Sequence, residues 1–443
     1  FTHIVFDLEG TGGVPKPYAL VYGENGSGKT NLIESIAFLK QSMRTLVLGD
    51  DISGQRSRIQ ELDDSGSELM AQVKQLTDMA LKELELAASS ISISEYVHEV
   101  MTIGAEGPME LKYTLLLNGR EAVYELQFSP DGKVIHERLT HIISSRSGRY
   151  FDIDSRNGDM RITFGADLFT NRKFKAQIKE LVEKLWGNHT FLALLYAEYR
   201  RSNPDYLKES LRPEMLSLIS YIDDIVVNST RNSQDSRIWP IDILAGTIPS
   251  DSEEILDAYG DAISTFFTRL YTDVGKVYYQ KTENEGRISY KLMFSRRISE
   301  SYREIPATQE SAGTRKLLTM LPAFLECAKG SVVFIDELDS GIHDKLIHDL
   351  MGEILPSVGG QMVVTTHNTS LIKDTDPSKV YVIDIDALGN KDIRTMASVT
   401  RTQKSHNNTA RYMDGVFGGV PYIGVLDLDD ISSTLEDELG RDE

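Results

Sequence analysis

An α/β fold organised on a parallel sheet is predicted by three observations in this 443-residue sequence. A glycine-rich run, Gly23-Glu24-Asn25-Gly26-Ser27-Gly28-Lys29-Thr30, stands between an apolar strand-like stretch and a helical pattern. Far downstream, Ser331-Val332-Val333-Phe334-Ile335-Asp336-Glu337 is an apolar strand that closes on two carboxylates. From Gln309 onward the pattern alternates helix, strand, helix, strand, as in a sheet whose strands are joined by crossover helices.

The glycine-rich run fits G-x-x-x-x-G-K-[ST], and its place between strand and helix is the context in which that pattern cradles phosphate. Glycines let the backbone curl so that its N–H groups converge on a phosphate chain beside a helix N-terminus. The candidate nucleotide-binding residues here are Gly23, Asn25, Gly26, Ser27, Gly28, Lys29 and Thr30. Lys29 is placed to reach the β- and γ-phosphates, and the Thr30 hydroxyl to take one Mg2+ position. The ligand expected is a nucleoside triphosphate.

The other elements follow in chain order. Residues 2–8 read as a strand that starts abruptly, as though a preceding half-strand were missing. Residues 56–91 carry Ile59, Leu62, Leu69, Val73, Leu76, Met79, Leu81 and Leu84 at helical spacing, interrupted by Gly66, as a protruding arm or a packed helix pair. Residues 95–165 change to strand-like alternation with turn signals at Asn118-Gly119 and Asp131-Gly132, an antiparallel meander. Helical spacing returns over residues 167–275, with segments at 174–186, 191–199, 214–225 and 254–274. Residues 276–297 read as a hairpin around Asn284-Glu285-Gly286. The simplest architecture is one nucleotide-binding sheet whose sequence is split by a long, mainly helical insertion.

The downstream strand supplies the second half of the chemistry. Asp336 would hold Mg2+ near the Thr30 hydroxyl, and Glu337 is placed to orient the water that attacks the γ-phosphate. Two adjacent buried acids are costly without a cation, so a metal–nucleotide site accounts for them. Asp339-Ser340-Gly341-Ile342-His343 follows, then an amphipathic helix with Leu346, Ile347, Leu350, Met351 and Ile354. The next strand, Gln361-Met362-Val363-Val364-Thr365-Thr366, ends at His367, which either contacts the γ-phosphate or caps the structure locally. Upstream, Glu310-Ser311-Ala312-Gly313-Thr314 opens a helix. Ser311 suits the N-cap, and the same turn offers free N–H groups and partial positive charge to a phosphate.

These five pieces, in this order, resemble the ATPases of the ATP-binding-cassette (ABC) type, in the branch that contains SMC-like, DNA-repair and phage-defence proteins. The resemblance covers residues 1–40 and 305–385 with strong motifs, and the meander with weak ones. It implies an α/β, ABC-type P-loop ATPase fold with an antiparallel β-meander and a long, mainly helical insertion. Residues 23–30 match Walker A, residues 332–337 Walker B, Ser311 and Gly313 the signature, Asp339 and Ser340 the D-loop, and His367 the switch histidine. Two departures stand out. No glutamine is placed as the Q-loop, and the signature lacks the following Gln of transporters, which moves the chain toward defence-type ATPases.

Thr366-His367-Asn368-Thr369 followed by the closing segment Tyr412-Met413-Asp414-Gly415-Val416-Phe417-Gly418-Gly419-Val420-Pro421-Tyr422 is similar to stand-alone ATPases of abortive-infection and anti-phage operons. Those of the Septu, retron-associated and PARIS systems belong here, and the overall layout is most like the PARIS ATPases. The implied layout is an ATPase lobe at 1–50, a helical arm at 51–94, an antiparallel part at 95–165, a helical insertion at 166–275, a second ATPase lobe at 276–425 and an acidic tail at 426–443. The resemblance also implies ATP and Mg2+ as ligands, with Glu337 and His367 catalytic and Thr30 and Asp336 on the metal. ATP would be sandwiched between two cassettes, the signature turn of one facing the phosphate loop of the other, so the chain is expected to assemble with itself.

Composition sets the remaining expectations. The formal net charge of −20 argues against a surface that coats DNA, although a local groove is compatible with it. Basic clusters at Arg172, Lys173 and Lys175, at Arg200 and Arg201, and at Arg296 and Arg297 read as solvated element ends. Residues 427–443 hold eight carboxylates and one arginine, a solubilising tail or a dock for a basic partner. No apolar run approaches the roughly 18 residues of a membrane span, and no signal peptide is visible. Cys327 is the single cysteine, in an apolar helical run, which suits an inert buried thiol and a cytoplasmic location.

No nuclease constellation is visible, and the nine histidines are scattered. The resemblance implies a sensor and scaffold of a prokaryotic anti-phage system. With no nuclease set in this chain, the toxic effector, a nuclease in the favoured reading, is expected to be a separate subunit held until a phage-encoded trigger releases it. The alternative is an SMC-like ATPase of DNA repair or recombination that clamps DNA.

Overall fold

The computed structural model describes residues 3–47, 92–143, 146–229, 241–401, 407–421 and 426–438. The helical arm expected over residues 56–91 lies outside the described residues. In chain order the elements begin with β1 (Tyr18–Gly23), α1 (Lys29–Arg44) and α2 (Ile93–Val100). Five strands follow: β2 (Met109–Leu117), β3 (Arg120–Phe128), β4 (Val134–Ile143), β5 (Arg146–Asp154) and β6 (Arg161–Phe164). Next come α3 (Arg172–Leu185), α4 (Phe191–Arg201), α5 (Pro204–Ser210), α6 (Pro213–Asp224), β7 (Val226–Asn228), β8 (Ala245–Pro249) and α7 (Glu253–Leu270). After β9 (Val274–Asn284), β10 (Arg287–Ile298) and β11 (Ser301–Pro306), helix α8 (Ala312–Lys329) leads to β12 (Val332–Ile335) and α9 (Asp344–Ile354). The chain closes with β13 (Gln361–Thr365), β14 (Val380–Ile385), β15 (Lys391–Thr395), α10 (Met396–Val399), α11 (Asn408–Met413) and α12 (Leu428–Glu438).

A six-stranded sheet in the order β15-β14-β1-β13-β12-β7 carries the site. All its pairs are parallel except β14 with β15. Strand β1 is apolar and buried at successive positions because both faces of the sheet are covered. Leu20 and Tyr22 join a core with α7, α8 and the neighbouring antiparallel sheet, whereas Ala19 and Val21 face α1 on the other side. That alternation is the period-2 rule applied to a two-sided strand.

Helix α1 ties the sheet to the meander. Its Leu32, Ile33 and Ala37 pack on the central sheet, while Phe38, Leu39 and Met43 enter a second core formed by the meander and helices α3, α4 and α6. The meander runs β2-β3-β4-β5-β6, its first hairpin turning at Asn118 (φ 50) and Gly119 (φ 73), the left-handed pair that a two-residue hairpin needs. In the third sheet β10 pairs with β9 along one edge and with β8 and β11 along the other. The α/β class, the antiparallel meander and the mainly helical insertion are thus the fold of this chain.

Four local expectations differ. Residues 3–8 form no strand; Ile4, Phe6 and Leu8 use their alternation to pack near Tyr381, but their backbone joins no ladder. Residues 93–100 are helical, begun by the Ser92 hydroxyl, which accepts from the Ser94 N–H. The insertion contains β7, which enters the central sheet beside β12, so its helices α3–α6 return the chain to the site's own sheet. Helix α7 stops at Leu270, and Val274 already starts β9. Among the described residues, no helix is long and apolar enough to cross a membrane.

Candidate active site

The glycine-rich loop leaves the C-terminal end of β1, where ligands bind parallel α/β sheets. A Cβ on Gly23 would stand 2.6 Å from Ser27 Oγ, so the close approach of the two turns of the loop requires glycine. Gly28, at φ 101, is left-handed and forms the N-cap of α1. Lys29 is only 7% exposed, and its ammonium donates to the carbonyls of Gly23 at 2.8 Å and Glu24 at 3.1 Å. Burial lowers the affinity of that amine for its proton, against the pull of Asp336, Glu337, Asp339 and Glu24. Asn25 and Gly26 are exposed, Thr30 is half-buried, and Lys391 donates to the Gly26 carbonyl at 2.6 Å.

The sheet order sets β13 between β1 and β12, so the two halves of the site meet across one strand. Asp336, just beyond β12, is fully buried. Its Oδ1 accepts from the Thr365 hydroxyl at 2.5 Å, and its backbone N–H donates to the Asn228 carbonyl on β7 at 2.8 Å. Glu337 adopts φ 49, a left-handed conformation that costs a non-glycine residue about 1–3 kcal/mol. Its N–H donates to Thr365 Oγ1 at 2.8 Å, which helps to hold that backbone. The Asp339 carboxylate accepts from the Thr366 hydroxyl at 2.8 Å and from the His367 N–H at 3.2 Å. His367 reaches solvent. Partial burial and the Lys29 charge lower its pKa, opposed by Asp339, Glu337 and Asp336.

Ser311 caps α8, accepting from the Thr314 N–H at 3.1 Å, and is exposed. A Cβ on Gly313 would lie 2.5 Å from the Gly341 carbonyl oxygen, so the turn at Ser311 and Gly313 rests directly on the loop that carries Asp339. Among the described residues, no hydrogen bond links Ser311 or Gly313 to residues 23–30. The structure therefore gathers the glycine-rich loop, Asp336, Glu337, Asp339 and His367 at one sheet edge. Ser311 and Gly313 stand beside the Asp339 loop.

Sequence reasoning passed over Thr365 and Thr366, whose hydroxyls bind Asp336 and Asp339. The available signal was a pair of threonines closing an otherwise apolar buried strand. Two buried side-chain oxygens of the site have no partner, Ser27 Oγ and Asp336 Oδ2. Buried polar groups are normally satisfied, and these two ask for opposite things, an acceptor for a hydroxyl and a cation for a carboxylate. A triphosphate with Mg2+ supplies both, so the residues fit that pair of ligands.

The sheet order, the glycine-rich loop and the paired acids across β13 define an α/β P-loop domain of the ABC type. The chain belongs to the family described as AAA domain, putative AbiEii toxin, Type IV TA system, whose model matches residues 19–373. Among solved structures it is similar to an SmcHead bound to the C-winged helix domain of ScpA, at 14% identity over 85% of this chain and 89% of that one, TM-score 0.38. It is also similar to the SMC head domain from Thermotoga maritima, at 14% identity over 86% and 91%, TM-score 0.34. A third is an Smc head domain with an extended coiled coil bound to the C-terminal domain of ScpA, derived from Pyrococcus furiosus, at 13% identity over 95% and 93%, TM-score 0.34. No curated protein matches the chain.

Proposed function

We propose that this chain hydrolyses ATP with Mg2+ at a site completed by a second copy of itself. The observation that carries the reading is the pair of unpartnered buried oxygens, Ser27 Oγ and Asp336 Oδ2, in a site that also holds the buried Lys29 ammonium. In this reading Gly23, Asn25, Gly26, Ser27 and Gly28 cradle the phosphates, and Lys29 leaves the Gly23 and Glu24 carbonyls for the β- and γ-phosphates. Thr30 and Asp336 would hold Mg2+, which when bound neutralises charge on the phosphate oxygens. Glu337 orients the attacking water and accepts its proton, and His367 stands by the γ-phosphate. Ser311, exposed at the N-cap of α8, and Gly313, packed beside the Asp339 loop, offer the N-terminus of α8 to ATP held by the other copy.

The biological role we infer is a sensor and scaffold in a prokaryotic anti-phage system, of PARIS type by its layout, holding a separate toxic effector until a phage trigger arrives. The family's description as a putative AbiEii toxin of a type IV TA system supports a place in such a toxin system. The net charge of −20 favours protein partners over duplex DNA.

The test uses the Glu337→Gln variant. Its turnover should fall by about 10² or more, while ATP and Mg2+ trap a dimer or larger assembly visible by light scattering. A concentration-independent monomer mass with ATP bound overturns the shared site. ATP-stimulated, salt-dependent binding of duplex DNA by the wild-type chain would instead support the DNA clamp.

A further inference from the structure

The segment after β15 returns to the glycine-rich loop. The Gly419 N–H donates to Asp384 Oδ1 on β14 at 3.1 Å, and the Tyr412 hydroxyl donates to the Gly419 carbonyl at 3.1 Å. The Tyr412 ring meets Tyr22 edge-on, with centroids 5.5 Å apart, and Tyr22 is the residue before Gly23. A Cβ on Gly419 would stand 2.4 Å from Val382 Cγ1, 2.8 Å from the Ile383 carbonyl oxygen and 3.3 Å from Gly23 Cα. Gly418 and Gly419 are both left-handed, at φ 75 and 64, so two successive glycines are needed to bring the backbone this close.

We propose that Tyr412, Gly419 and Asp384 form a positioning clamp for the phosphate loop and so set its affinity for ATP; this rests on the ATP reading above. The contact falls on Gly23, whose carbonyl holds the Lys29 ammonium. The clamp therefore fixes both the first turn of the loop and the peptide from which Lys29 must depart. Tyr22 carries the contact further: its hydroxyl donates to the Asn368 carbonyl at 2.9 Å, one residue beyond His367. One turn of chain thus braces the phosphate loop directly and the His367 segment through Tyr22.

The experiment compares Gly419→Ala with Gly415→Ala in the full chain. Gly415 lies in the same turn at φ 77 with nothing within 4 Å of an added Cβ, so its substitution imposes backbone strain without pressing on Gly23. Gly419→Ala should raise the Kd for ATP about tenfold or more, as small displacements of binding groups do, with Gly415→Ala within about twofold of wild type. Tyr412→Phe, which keeps the ring on Tyr22 and removes the hydroxyl, should raise Kd by a smaller factor and covers the case in which Gly419→Ala does not fold. Wild-type affinity in Gly419→Ala or, where that variant does not fold, in Tyr412→Phe overturns the clamp. So does equal weakening in Gly415→Ala. Lys29→Ala separates the two ideas: if it too binds ATP as wild type does, the ATP site itself has been misread.

Discussion

The Thr365 hydroxyl stands 2.5 Å from Asp336 Oδ1 and 2.8 Å from the Glu337 nitrogen. It donates its one proton to the first acid and accepts from the backbone of the second, so a single side chain on β13 orients the carboxylate of Asp336 and pins the left-handed turn at Glu337. Thr365→Val keeps the volume and strips both bonds. Asp336, whose Oδ2 already lacks a partner, then has neither oxygen satisfied, a penalty of about 1–3 kcal/mol. We expect ATPase turnover to drop about tenfold or more and the Mg2+ needed for half-maximal rate to rise, with Thr365→Ser close to wild type. A Mg2+ titration of steady-state hydrolysis checks this. An unchanged Mg2+ dependence in Thr365→Val would show that Asp336 is oriented by something else.

Gly313 carries a prediction about assembly. An added methyl would meet the Gly341 carbonyl oxygen at 2.5 Å, so Gly313→Ala must push the Ser311 turn away from the Asp339 loop. Because no hydrogen bond joins that turn to residues 23–30 among the described residues, ATP binding to a single copy should survive. Turnover should fall instead, and Glu337→Gln combined with Gly313→Ala should fail to trap the ATP-dependent assembly. Light scattering and equilibrium ATP binding, measured on the same samples, separate the two effects. Loss of binding with assembly intact would place Gly313 in the wrong role.

The fold was legible where motif and period agree. Residues 23–30, the apolar strand closing on Asp336 and Glu337, and the Asn118-Gly119 hairpin each combine a local rule with a matching flank. Strand β7 was hidden because Ile225-Val226-Val227 is a short apolar stretch directly after the acids that end α6, and three strand residues are too few to show a period. Residues 3–8 misled for the opposite reason: Ile4, Phe6 and Leu8 have strand alternation, but a ladder needs a backbone partner, which alternation does not supply. Thr365, Thr366 and the clamp at Gly419 escaped notice because their meaning lies in what the sheet order places beside them. Thr365 becomes informative only once β13 is known to lie between β1 and β12.

Arg296 organises the approach to α8. Its guanidinium binds Glu310 through two hydrogen bonds, at 2.7 and 2.8 Å, and Asp273 through a third at 2.6 Å. The Glu310 side chain is 5% exposed, so it depends on that partner, whereas Asp273 is 47% exposed. Removing one member of a buried pair strands the other, so Arg296→Met should cost about 3–5 kcal/mol. Asp273→Asn should cost no more than about 1 kcal/mol, as for a surface pair. Urea unfolding gives both numbers. The double change Arg296→Met with Glu310→Gln should recover part of the loss, and a double variant no better than Arg296→Met would show that packing, and not the stranded charge, sets the cost.

Glu137 makes the meander core pH-dependent. It is fully buried on β4, and its carboxyl accepts from the Tyr124 hydroxyl at 2.8 Å, the Trp186 indole N–H at 2.9 Å, and the Phe191 and Leu192 N–H groups at 2.6 and 3.2 Å. Burial pushes its pKa up from 4.5 to about 6, against the four donors, which favour the anion. The folded chain therefore holds this proton more tightly than the unfolded one. Its stabilising contribution is full below pH 4.5 and is lost as pH rises through about 6. At 1.36 kcal/mol per unit, the loss amounts to about 2 kcal/mol. Glu137→Gln cannot titrate and also turns an amide N–H2 toward existing donors, so it should be less stable at every pH but lack this slope. Urea unfolding of both proteins from pH 4.5 to 7 should show the wild-type advantage shrinking by about 2 kcal/mol. An advantage that stays flat or grows with pH would mean that the four donors outweigh the cost of burying the charge.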